Sequence, residues 1–399
     1  MNVLGRDDGG GGADDGRNSS PASVRLGSFL ARDGSDGAAV GMDADSPHAA
    51  VVLGKRGTGK SYTLGVIAEG LADAVGVAPV VVDPMGVFGG LTDIGGRVVD
   101  PAVRPADIPA SVWPDLVGLD PADGPGSLLW RVVADATERS GPTSDVSPSI
   151  ESLRWAVSEA DAPDRTRRAV RNHLRLAESW GVFDAAAPPV TAFAAGGDPT
   201  VLDLSGTPEV AAGAVVRAVA RGLYDARVNG TVDRLPWLLV DEAHAFFDGV
   251  ADPALRTLLT RGRAPGVSLV CATQRPSALP DVAVSQSDLL VAHRLTAGPD
   301  VDALATAEAT YLAGDLVARL PTGTGEALVV DDASETAHSV RVRERRTPHG
   351  GGDPRARDTE AARSERAARI EEAARDEEPT RTDRSSGGER VVGTAGRGP

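Results

Sequence analysis

Short apolar runs and longer stretches of helical spacing alternate through the middle of the chain. The runs are HAAVVLG (48–54), PVVVD (79–83), TVLDL (200–204), WLLVD (237–241), VSLVCAT (267–273), LLVAH (289–293) and EALVVD (326–331). Unbroken apolar runs of this length suit strands buried on both faces. Helical segments between them, as in SYTLGVIAEGLADAV after the first run, predict an α/β fold whose sheet is mostly parallel. Ahead of the first run, VRLGSFLARDGSDGAAVGMD reads as a hairpin turning at Gly34 to Gly37.

The interval 101–198 breaks the alternation. It is helical in pattern and holds Trp113, Trp130, Trp155 and Trp180, four of the five tryptophans. We expect an all-helical insertion with its own small core, the tryptophans packing inside it. Residues 1–21 are rich in Gly and Asp and predict a disordered N-terminus. The tail 347–399 is charged and of low complexity, with only Ile370, Val391 and Val392 as large apolar side chains. The expected folded domain is therefore 22–346.

Composition adds two constraints. The chain has 399 residues, 41 basic and 57 acidic, for a net charge of −16; 39 of the acids are Asp, and only Lys55 and Lys60 are lysines. This resembles the proteins of salt-accumulating halophiles, where molar salt shrinks the Debye length to about 3 Å and local basic patches outweigh net charge. No apolar run is long enough to span a bilayer, and the reading is a cytoplasmic protein without a membrane partner. Cys271, the single cysteine, lies in an apolar run and reads as core.

The chemistry concentrates after the first and fourth runs. Gly54-Lys55-Arg56-Gly57-Thr58-Gly59-Lys60-Ser61 fits a P-loop between a strand and a helix, followed by Tyr62. Its glycines let backbone N–H groups turn toward phosphates, Lys60 reaches the β- and γ-phosphates of ATP, and the Ser61 hydroxyl ligates Mg²⁺. Lys60 must thread a compact charge through a tight loop, which the planar fork of arginine cannot do. Lys55 has two readings, a solvent-exposed rim charge or a contact to nucleotide or a neighbouring subunit. LPWLLVDEAH supplies Asp241 for the Mg²⁺ shell and Glu242 to polarise the attacking water. The letters DEAH also name a class of RNA helicases, but one nucleotide domain plus an insertion does not make their two-domain architecture. His244 then reads as a packing or capping residue.

HAAVVLGKRGTGKS, VVVDPMGVF, VLDLSG, LLVDEAHAFF, RGRAPGVSLVCATQRPSALP and QSDLLVAHRLT together resemble the HerA/FtsK superfamily of P-loop ATPases, in particular its HerA-like branch, over about 47–335. The resemblance implies a RecA-like domain, Gln274 as the γ-phosphate sensor, and Arg263 of GRxxG, with Arg261 as runner-up, as an arginine finger acting on the next subunit. A surface salt bridge is the competing reading for either arginine. The resemblance further implies a homo-oligomer, a hexamer, that moves duplex DNA, with a protein partner such as a nuclease. The alternative is an ATP-driven switch or assembly protein without translocation. Two departures stand out: Val87 occupies a position often acidic in the family, and only residues 22–46 stand where the family has an N-terminal barrel. Arg168, Arg171 and Arg175 recur at helical spacing and would suit phosphate contacts, although 22–346 carries a net −13.

Overall fold

In the computed structural model, residues 1–6, 22–140, 147–306 and 317–351 are described. Among the described residues twelve strands form one sheet: β1 (Asn2–Leu4), β2 (Ser23–Leu30), β3 (Asp36–Asp43), β4 (Ala49–Leu53), β5 (Val77–Asp83), β6 (Arg97–Val99), β7 (Thr200–Asp203), β8 (Leu235–Val240), β9 (Ser268–Thr273), β10 (Leu289–Ala292), β11 (Glu326–Asp331) and β12 (Thr336–Val342). Their order is β1-β3-β2-β12-β11-β10-β4-β9-β8-β5-β7-β6. From β10 to β6 every neighbour is parallel; from β10 through β11, β12, β2 and β3 the pairs are antiparallel, and β1 closes the edge parallel to β3.

The parallel strands are apolar throughout because both faces are covered. Val51, Leu53, Val80, Val82, Leu238, Val240, Leu269 and Cys271 point into one core with α6 (Glu209–Val228) and α7 (Asp252–Arg261). Ala50, Val52, Val81, Leu239, Val270 and Ala272 point the other way, against Leu64, Ile67 and Leu71 of α1 (Lys60–Ala72). Alternation along each strand thus builds a three-layer αβα sandwich, and the strands and hairpin read from the sequence are all present.

The insertion between β6 and β7 is helical, with α2 (Trp113–Leu116), α3 (Gly124–Ser140), α4 (Ile150–Glu159) and α5 (Asp164–Ser179). It has no separate core: Trp113, Leu129, Leu153, Val170 and Leu174 join the cluster that covers the sheet. Trp113 is fully buried, as packing requires, but Trp130 and Trp155 are 48% and 65% exposed. A tryptophan on a two-sided helix whose partner lies on one side only stays wet on the other, which spacing alone does not reveal.

Both ends of the expected domain move outward. Asn2–Leu4 pairs with β3, and Gly5 N–H donates to Asp331 Oδ2 at 3.0 Å. At the other end, residues 343–351 form a strap over α1, and Thr347 is buried. The rest of the expected disordered N-terminus, and of the tail from 352, lies outside the described residues.

The strap is held by Glu69, a fully buried carboxylate in α1. It accepts Arg343 Nη1 at 2.7 Å, the Arg346 and Thr347 N–H groups at 3.0 Å each, and Thr347 Oγ1 at 2.8 Å; Arg345 Nε lies 3.4 Å away. Gly65 and Gly90 permit this closeness, since an added Cβ would meet the Arg345 guanidinium at 2.5 Å and the Pro348 carbonyl at 2.2 Å.

Candidate nucleotide site and the arginine loop

The P-loop leaves the C-terminal end of β4 and opens α1. Gly57 and Gly59 take φ of 77° and 115°, in the left-handed region where only glycine is unstrained. Two bonds from the neighbouring strand's end pin the loop: His293 N–H to Leu53 O at 2.8 Å and Lys55 N–H to Arg294 O at 2.9 Å. Thr58 closes the turn on itself through Lys55 O, donating from its hydroxyl at 2.7 Å. Lys60 is buried, its Nζ donating to Lys55 O at 3.3 Å. Burial lowers its pKa, opposed by the nearby Glu242 and Asp241 carboxylates.

β9 stands between β4 and β8, and its register with both is fixed: Leu53 faces Thr273, and Val240 faces Cys271. The residues just past these ends therefore meet at one sheet edge. Asp241 is buried, with Oδ1 accepting the Glu242 N–H at 3.0 Å and Oδ2 without a partner. Burial pushes its pKa up to about 6, and the Ser61 hydroxyl works against that shift. Glu242 is also raised by burial, with Lys60 and Arg56 in opposition. Ser61 and Asp241 thus present a hydroxyl and an orphaned buried carboxylate oxygen, a hard-oxygen donor set that fits Mg²⁺. Among the described residues no group of three or more His, Cys, Asp or Glu forms a metal site of its own.

Gln274 follows Thr273 directly and so lies level with Gly54, between the P-loop strand and Asp241. Each residue read from the sequence as part of a phosphate and metal site, Gly54 to Ser61, Asp241, Glu242 and Gln274, sits at this one edge.

The family model for the central domain of helicase HerA matches residues 24–223. The chain belongs to this family. It is 24% identical over 362 residues to the DNA double-strand break repair helicase HerA of Pyrococcus furiosus, covering 73% of this chain and 64% of that HerA, so it spans less than two thirds of its HerA relative. In fold it is similar to VirB4 of Thermoanaerobacter pseudethanolicus, with a TM-score of 0.62 at 18% identity over 82% of this chain and 97% of VirB4. It is also similar to the bacterial conjugative coupling protein TrwB, with a TM-score of 0.54 at 16% identity over 84% of this chain and 98% of TrwB.

Within this HerA-family domain, several residues take positions that sequence reading did not give them. Tyr62 turns to the strap: its hydroxyl accepts the Arg345 N–H at 2.6 Å and its ring meets His349 edge-on at 5.6 Å. Lys55, by contrast, is exposed at the loop tip, in line with the first of its two readings. His293, missed entirely, is fully buried beside the P-loop, where an added Cβ on Gly54 would strike its Cβ at 2.7 Å. Its Nδ1–H donates to Glu326 O at 2.8 Å, leaving Nε2 to accept from the Thr63 hydroxyl at 2.9 Å. Burial pushes its pKa down to about 4, so the ring stays neutral and keeps both bonds. The one available signal was a histidine ending an apolar strand.

Arg263 lies at the opposite edge of the sheet, in the turn that enters β9. Gly262 ends α7 where an added Cβ would meet Leu258 O at 2.5 Å and Val267 O at 2.6 Å, and Gly266 adopts φ 90°. The two glycines of GRxxG thus fold a tight loop that holds Arg263 outward and exposed. A strand's length, roughly 20 Å, separates this loop from the P-loop of the same chain. Arg261, the last residue of α7, is exposed at the same edge.

In the insertion, Val170, Leu174 and Ala177 form the buried face of α5, as the spacing predicts. Arg168 and Arg175 are exposed, whereas Arg171 turns inward to donate to Ser158 Oγ at 3.2 Å. Only two of the three arginines therefore keep a free face. Among the described residues no helix is long and apolar enough to cross a membrane.

Proposed function

We propose that the chain is a Mg²⁺-dependent ATPase that drives movement on duplex DNA. The observation that carries this reading is the convergence of Lys60, Ser61, Asp241 and Glu242 at one sheet edge, with the Asp241 Oδ2 buried and unpartnered. Membership in the HerA central-domain family supports a DNA motor over an ATP-driven switch.

In this reading the P-loop amides and Lys60 bind the β- and γ-phosphates, Ser61 and Asp241 hold Mg²⁺, and Gln274 hydrogen-bonds the γ-phosphate. Bound Mg²⁺ supplies charge neutralisation along the phosphates. Glu242 orients the attacking water and takes its proton. Arg263 faces away from its own site, and we assign it to the nucleotide of a neighbouring copy, which makes activity depend on a homo-oligomer, a hexamer in the family pattern. A nuclease is the protein partner that a DNA-end motor would serve.

The test is ATP binding and turnover of Glu242→Gln in molar KCl, with and without duplex DNA, alongside light scattering for subunit number. Binding should persist while turnover falls by about 10²- to 10⁴-fold, and wild-type hydrolysis should rise with DNA. Undiminished hydrolysis in the variant would remove Glu242 from the role.

A further inference from the structure

His244, expected as a packing or capping residue, also has two polar groups beside one ring nitrogen. It follows Glu242 by two positions in the short turn Ala243–Phe246, and its side chain is 16% exposed. Its Nδ1 stands 3.3 Å from Glu242 Oε2 and 3.1 Å from Thr273 Oγ1. Thr273 is the last residue of β9, and its Oγ1 also accepts the Arg275 N–H at 3.0 Å. A continuous polar chain therefore runs from the Glu242 carboxylate, through His244, to the turn that carries Gln274.

Two features give this chain more than an incidental character. Glu242 adopts φ 46° and ψ 41°, one of only two non-glycine residues at positive φ among those described. That conformation costs about 1 kcal/mol or more and persists where the surroundings hold it. Its N–H and carbonyl are both engaged, to Asp241 Oδ1 and from Ala245 N–H at 3.0 Å each, so the backbone is fixed while the side chain is steered separately. Glu242 Oε2 is buried without any aligned hydrogen-bond donor, and the His244 ring sits within ion-pair reach of it.

The ring's tautomer follows from these neighbours. With the proton on Nε2, an Nδ1 lone pair would face the carboxylate lone pairs across 3.3 Å. With the proton on Nδ1, the N–H donates to the Thr273 oxygen at 3.1 Å and sets a partial positive charge 3.3 Å from the carboxylate, so both contacts become favourable. Burial disfavours a second proton on the ring, as do Arg275 and Lys60, while Asp241 and Glu209 favour one; Glu242 is the carboxylate in nearest contact.

We propose that His244 is a positioning residue for Glu242: its Nδ1–H holds the carboxylate in register with the end of β9, where Gln274 reads the γ-phosphate. The proposal rests on Glu242 acting as the base. It requires only an N–H at the Nδ1 position, which an asparagine amide supplies and an alanine does not. Because misplacing a reacting group by about 1 Å costs on the order of 10²-fold in rate, the effect should fall on turnover and spare nucleotide binding.

The experiment compares wild type, His244→Ala, His244→Asn, Thr273→Val and Glu242→Gln for steady-state ATP hydrolysis, fluorescent-ATP affinity and thermal midpoint. His244→Ala should lower kcat about 10- to 100-fold with affinity within about twofold, His244→Asn should recover most of the loss, and Thr273→Val should show an intermediate drop. In the Glu242→Gln background, His244→Ala should add nothing. Should His244→Ala fail to fold, the Asn and Val variants decide alone: full activity in Thr273→Val, or Asn no better than a tenth of wild type, overturns the proposal. A parallel fall in affinity and midpoint, without rescue by Asn, also overturns it by showing a merely structural histidine. If Glu242→Gln itself hydrolyses ATP normally, the underlying reading fails instead; if it is inactive while His244→Ala is fully active, only the positioning role fails.

Discussion

Replacing Glu69 with alanine should release the strap formed by residues 343–351. The carboxylate is fully buried and gathers Arg343, two backbone N–H groups and the Thr347 hydroxyl, with the Arg345 side chain, 1% exposed, beside it. Removing one member of a buried ionic cluster leaves the others desolvated and unpaired, which costs about 3–5 kcal/mol. Molar salt weakens exposed ion pairs, but the Glu69 side chain is 0% exposed and its contacts are as short as 2.7 Å, so the loss should be nearly the same at about 0.1 M and 3 M KCl. The acid dependence carries a sign as well. Burial alone would raise the Glu69 carboxyl, but the Arg346 N–H, the Arg343 guanidinium and Thr347 outweigh it and hold it below its ordinary value. Its contribution is therefore present above the unfolded carboxyl's pKa and lost as pH falls through the lower folded one. Urea unfolding of wild type and Glu69→Ala at both salt concentrations, with limited proteolysis after Arg343, Arg345 and Arg346, reads the effect. A destabilisation under about 1 kcal/mol, or one that disappears in high salt, would refute the idea that the strap is locked by a buried charge.

At the N-terminal edge of the sheet, buried His48 lies 2.9 Å from Asp288 and 3.7 Å from Asp43. Burial would lower its pKa, but the two carboxylates outweigh that and raise it to about 9. Since the folded value exceeds the unfolded one, the stabilisation is complete below about pH 6.5 and declines as pH rises toward 9, by up to about 3 kcal/mol; urea midpoints that stay flat from pH 6.5 to 9.5 would contradict it. For the arginine loop, Arg263→Ala subunits titrated into wild type should depress ATPase activity more steeply than their fraction, and a linear decline would exclude a role across subunits.

The parallel strands were legible because burial on both faces leaves an uninterrupted apolar run, and the P-loop and Asp241-Glu242 because each follows such a run directly. β12 was not, since TAHSVRV mixes polar and apolar residues on a strand that is only partly covered. The strap was invisible for a different reason. RERRTPHG looks like a solvated charged tail, and the carboxylate that draws it inward lies more than 270 residues upstream, in a helix where it reads as a stray acid. His293 and His244 were underread because the value of a histidine depends on what faces each ring nitrogen, and that is decided by strands far apart in the chain. The insertion's independence was overread: its helical period was correct, but spacing cannot say that the apolar face continues the sheet's own core.

The placement of the P-loop and the GRxxG loop at opposite ends of the same strands has a consequence for symmetry. A copy whose phosphate-binding residues and arginine lie at opposite ends of the same strands cannot complete its own site, so a neighbour must do so, either reciprocally in a two-fold pair, where each contact is returned, or in sequence around a ring. Under the role proposed for Arg263, each copy that lends it to a neighbour needs another copy's arginine for its own site. On that reading a linear stack ends with one site lacking its arginine and one arginine lacking its site, whereas a closed assembly, a two-fold pair or a larger ring, leaves none over.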